Sequence, residues 1–71
     1  MLLLVMIDPS YSNRLPTILG SNDIDGLVAE FIKWFDHDAD FEDSLRCRYK
    51  NCGPGPTPIP WSGYTCYITE V

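Results

Sequence analysis

Seventy-one residues, 45% of them hydrophobic and 13% aromatic, are too apolar for an acidic disordered tail and lie near the lower size limit for a core without metal or disulfide staples. Ordering such a chain costs on the order of 1.5 kcal/mol per residue, so in this single domain, residues 1–71, nearly every apolar side chain must be buried or covered by a partner. Ten acids against five bases give a net charge of −5, yet from Asp23 to Asp43 eight acids and one base give −7, which excludes that surface from direct contact with nucleic-acid phosphates and favours basic protein surfaces as partners.

Residues 1 to 7 form an unbroken apolar run closed by Asp8-Pro9, and the run predicts a first strand. Leu2, Leu4 and Met6 on one face and Leu3, Val5 and Ile7 on the other are all apolar, so both faces of this strand require cover. Long loops, a target, or a second copy in a homodimer formed through the first strand would each supply it. The run falls far short of the roughly 18 residues of a membrane span, and it lacks the positive flank and cleavage site of a signal peptide. With an odd number of cysteines, Cys47, Cys52 and Cys66, the expectation is a reducing, cytoplasmic location and no membrane contact. The next segment, residues 9 to 20, is punctuated by Ser, Asn, Pro and Gly and reads as a loop whose Leu15, Ile18 and Leu19 pack as a flap.

From Asp23 to Asp36 the chain reads as an amphipathic helix. Ile24, Leu27, Val28, Phe31, Ile32 and Phe35 recur at the spacing of one helical face, with Asn22 as N-cap and Asp23 and Asp25 where the macrodipole favours negative charge. Gly26 is a cost of about 1 kcal/mol relative to Ala in a helix interior. Asp36, Asp38, Asp40, Glu42 and Asp43 then crowd the end of the helix, where carboxylates are disfavoured by up to roughly 0.3–1 kcal/mol each. Acids placed against local stability read either as a solvated acidic connector or as charge that serves a partner. Trp34 stands off the apolar stripe beside them, the setting of an interface anchor.

Residues 44 to 50 alternate, Leu45, Cys47 and Tyr49 against Arg46, Arg48 and Lys50, and predict a strand; residues 63 to 71 predict another. Between them prolines at 54, 56, 58 and 60 rule out an internal strand and leave a stiff connection. Pairing the two strands so that the arginines stay outside sets Cys47 opposite Cys66 and leaves Cys52 as the loop thiol that reacts first.

Chemistry-bearing patterns are few. Asp36, Asp38 and Asp40 have the spacing that begins a calcium loop, but Phe41 and Cys47 stand where the turn glycine and the bidentate glutamate are needed, so no metal site is assigned. No base stands ready to activate a cysteine, and neither catalysis nor a cofactor is expected. The prolines could present an extended ligand, as in an adaptor, although polyproline II repeats every three residues and these alternate by two.

The predicted architecture is α+β, in the order β-α-β-β, a three-stranded mainly antiparallel sheet with one amphipathic helix packed on one face. In size, acidity and lack of active-site chemistry the chain resembles the small acidic inhibitors that phages and mobile elements use against restriction or CRISPR machinery. That resemblance implies a non-catalytic inhibitor, a nucleic-acid mimic in which Trp34, Asp36, Asp38, Asp40, Glu42 and Asp43 occupy a basic, nucleic-acid-binding site on a larger protein. The alternative is a small oligomeric structural or assembly subunit that uses the apolar first strand.

Overall fold

The computed structural model describes residues 1–10 and 15–71, with the side chains of residues 56 and 57 left aside. In chain order the elements are β1 (Leu2–Ile7), β2 (Thr17–Ser21), α1 (Ile24–Trp34), α2 (Ala39–Cys52), β3 (Gly55–Trp61) and β4 (Tyr64–Glu70). The strands form one sheet in the order β2-β1-β4-β3 with every neighbouring pair antiparallel. Both helices cover the same face of it, α1 against β2 and β1, α2 against β3. The fold is α+β as expected, with a second helix and a fourth strand where one helix and three strands were predicted.

β1 is the strand that its apolar run predicts, and it lies inside the sheet between β2 and β4. Leu2, Leu4 and Met6 are buried beneath the helices, joined by Leu19 of β2, Cys66 and Ile68 of β4 and Ile59 of β3. From above, Leu27, Val28 and Phe31 of α1 and Phe41 and Leu45 of α2 close this core. At about 25 cal/mol per Å² of apolar surface, each such side chain contributes on the order of 1.5–3 kcal/mol.

α1 starts and ends inside the predicted range. Its N-cap is Asp23, whose Oδ1 accepts from Gly26 N at 2.7 Å, so Asn22 gives way by one position. Ile32, at the margin of the apolar stripe, is exposed. Gly26 has a steric reason: a Cβ there would run into the Ser21 hydroxyl and the Asp23 carboxylate, because the first turn of α1 crosses close over the end of β2.

Residues 44 to 50 belong to α2, and the predicted strand is corrected to a helix. A short alternating stretch also fits a helix, since Phe41, Leu45 and Tyr49 recur every four residues. The N-cap at Asp38 and the stop at Gly53, which has φ 66 and precedes Pro54, fix the period at 3.6. With this the register between 44–50 and 63–71 falls: Cys47 and Cys52 are exposed on the helix and Cys66 is buried in the sheet. Burial pushes the Cys66 thiol up to about 11. Cys47 and Cys52 are therefore expected to react with a disulfide reagent in the native protein and Cys66 only after unfolding; a Cys66 modified as fast as the others would remove it from the core.

The prolines exclude an internal strand, as expected, and β3 is an edge strand. Alternate residues of a strand aim their N–H groups to opposite sides, so Pro58 and Pro60 lie on one side while Ile59 and Trp61 keep donors for β4, the single neighbour of β3. Prolines along a sheet edge also discourage pairing with other chains. Ser62 and Gly63, at φ 46 and 85, form the two-residue turn between Trp61 and Tyr64, a tight hairpin in place of the predicted long connection.

The predicted flap is also revised. Residues 17–21 form β2, Leu19 is buried, Ile18 is 57% exposed and Leu15 is 90% exposed; the rest of that expectation falls partly on residues 11–14, outside the described residues. No helix among the described residues is long and apolar enough to cross a membrane.

Candidate partner-binding surface at the junction of the helices

The chain leaves α1 at Phe35, whose backbone N–H donates to Phe31 O at 2.9 Å, and begins α2 four residues later. This break leaves Asp36 just past the C-cap of α1 and places Asp38, Asp40, Glu42 and Asp43 at the start of α2. Asp38 is the N-cap of α2 and Asp40 and Glu42 follow in its first turn, where the exposed N–H groups and the macrodipole favour negative charge. The expectation that this cluster works against local stability is thereby reversed.

Two of the five acids are committed to the fold. Asp38 Oδ1 accepts from Phe41 N at 3.1 Å and its Oδ2 accepts from the Trp61 indole Nε1 at 2.8 Å. The indole N–H first, and then the Phe41 amide, hold the Asp38 carboxyl below its ordinary value. Glu42, only 5% exposed, accepts from Asp38 N at 2.9 Å and lies 2.7 Å from Nδ1 of His37. This reciprocal arrangement is a capping box displaced by one residue. As a partner-facing residue Glu42 is corrected, since it is buried; Asp38, half-buried, has both carboxylate oxygens engaged at the junction.

Behind the cap lies an aromatic cluster that no motif announces. Phe31 packs its ring 5.3 Å from Phe35, 4.8 Å from Phe41 and 4.9 Å, edge-on, from Trp61. Tyr64 joins at 5.9 Å from Trp61. One ring from each strand of the β3–β4 hairpin, beside its turn, thus joins the cluster, Trp61 meeting Phe31 and Phe41 and Tyr64 meeting Phe35, and the Trp61–Asp38 bond ties the hairpin to the cap. The Ser62-Gly63 dipeptide was the signal in the sequence for this hairpin.

What remains outside is a smaller surface than the sequence implies. Trp34, in the last turn of α1, is 66% exposed, and Asp36, Asp40 and Asp43 are exposed beside the same junction. Arg46 Nε lies 3.1 Å from Asp25 Oδ1, so one of the four bases outside the acidic stretch turns back onto it. An indole face next to clustered carboxylates can receive a Lys or Arg side chain, the carboxylates pairing with its charge and the ring with its stem or guanidinium plane. Compared with protein-family models, curated proteins and solved structures, the chain matches none of them.

Proposed function

We propose that this chain is a non-catalytic binding protein whose α1–α2 junction occupies a basic, nucleic-acid-binding site on a larger protein, in the manner of the acidic inhibitors that phages and mobile elements direct against restriction or CRISPR machinery. The observation that carries the reading is Trp34, a large apolar ring 66% exposed at the end of α1, followed in the chain by exposed Asp36 in the connector and exposed Asp40 and Asp43 on α2. A ring in water at a charged rim forgoes burial worth a few kcal/mol in a domain with little to spare, and a partner surface restores it. The carboxylates steer the encounter with a basic site, which makes association fast and sensitive to salt.

The test is a pull-down from the source cell followed by binding to the captured protein at low and high salt, with nucleic acid as competitor. Wild-type binding should fall with salt and compete with nucleic acid. Trp34→Ala and the triple variant Asp36→Asn/Asp40→Asn/Asp43→Asn should each weaken binding by roughly 2–5 kcal/mol, with the melting temperature of Trp34→Ala near wild type and that of the triple variant lower by a few degrees as the first turn of α2 loses the Asp40 charge. A triple variant that binds as tightly as wild type, with equal salt sensitivity, overturns the proposal.

A further inference from the structure

The face of the sheet away from the helices carries Leu3, Val5 and Ile7 of β1, which the register sets beside Ile18 of β2 and Tyr67 of β4. Ile7 and Ile18 are exposed, and the other three are only half-buried. Gly20 lies on this face too, where a Cβ would come 3.1 Å from Leu3 Cδ2 and 3.5 Å from the Met1 sulfur, so the Met1 side chain extends the same patch. None of positions 3, 5, 7, 18, 20, 65, 67 and 69 carries Asp, Glu, Lys or Arg. Apolar and uncharged, the patch has nothing with which to recognise the basic surface proposed for the helical junction.

We propose that this open sheet face packs against the same face of a second copy, giving a symmetric dimer with the two sheets inside and the four helices outside. Charge selects this occupant. Eight of the ten acids lie between Asp23 and Asp43, in the helices, their caps and the connector, and against the four bases of the same layer, Lys33, Arg46, Arg48 and Lys50, they leave it a net −4. Sheets packed face to face about 10 Å apart, each backed by helices about 10 Å thick, hold the two acidic layers on the order of 30 Å from each other, several screening lengths. Any arrangement that brings helical layers together opposes two chains of net charge −5 each.

The area agrees. Four strands about 4.8 Å apart, with six or seven residues in the longer ones at about 3.3 Å each, offer roughly 400 Å² in plan, so two copies withdraw on the order of 1,000 Å², the threshold for a specific interface. The dimer therefore responds to concentration over an accessible range. It also leaves the helical junction free, so it stands independently of the proposed partner.

Sedimentation equilibrium of the full chain over a wide concentration range, at low and high salt, tests this. Wild type should shift from the monomer mass towards twice that mass, and high salt should hold or strengthen the dimer, opposite to its effect on binding at the acidic junction. Ile18→Lys and Ile7→Lys, each at an exposed position, should raise the dissociation constant about tenfold or more with an unchanged circular dichroism spectrum. Ile32→Lys, on the helical layer, should leave the dimer intact. A wild-type chain that stays monomeric throughout overturns the proposal. So does a dimer that survives both Ile7→Lys and Ile18→Lys, which would then form by pairing along the β2 edge or through the helices.

Discussion

Phe31→Ala is expected to leave the domain unfolded, or close to it, at room temperature. The ring is completely buried and stands between Phe35, Phe41 and Trp61, so it links α1 to both α2 and the hairpin. Core Phe→Ala replacements cost about 3–5 kcal/mol, against a total of roughly 4–10 kcal/mol for a domain of this length. The vacated space is walled by rigid rings on three sides, which resist collapse and keep the cost high. A urea titration followed by tryptophan fluorescence measures it, and Trp34→Ala is the internal control with little or no expected loss. Equal losses for the two variants would place Trp34 in the core.

Asp38 and Glu42 carry the second large effect. Asp38→Asn should lower the melting temperature at neutral pH, because Asn keeps an oxygen for the Phe41 amide but gives up the charge-assisted bond to Trp61. Since the folded carboxyl lies below its ordinary value of 3.8, the stability it contributes is complete above about pH 4 and is lost as pH falls through the lowered folded value. The gap between wild type and Asp38→Asn should therefore be open at pH 7 and close as the pH falls through the lowered folded value. Glu42→Ala should cost about 1–3 kcal/mol by stranding the Asp38 N–H in a half-buried corner. Thermal melts at several pH values decide the matter: a gap of constant size shows that the Asp38 charge contributes nothing to folding.

These expectations reverse the one drawn from the acidic run alone. Read as the tail of a single helix, Asp36 to Asp43 is a liability; divided between a connector and the start of α2, it is a cap. Nothing local distinguishes the two, because Ala39 and Phe41 to Leu45 are compatible with either continuation. Trp34 was legible, since its angular position off the α1 stripe depends only on the period of a helix whose existence was clear. The inward turn of Glu42 was not, because it follows from the position of a helix that the alternation of residues 44 to 50 had disguised.

The amino-acid sequence by itself determined the α+β class, the first strand β1, the stripe of α1, the terminal strand β4 and the exclusion of prolines from the sheet interior. These rest on periodicity within one segment, and a long enough segment states its own apolar faces. Tertiary structure decided the rest: β2 and β3 as edge strands, α2 as a helix, Cys47 and Cys66 on different elements, and the division of the acids into structural and exposed. Each of those depends on contacts between distant segments, as when the Trp61 indole reaches Asp38 across 23 positions and turns an acidic run into a helix cap. A short segment with two admissible periods adopts the one that its distant neighbours bury and hydrogen-bond best.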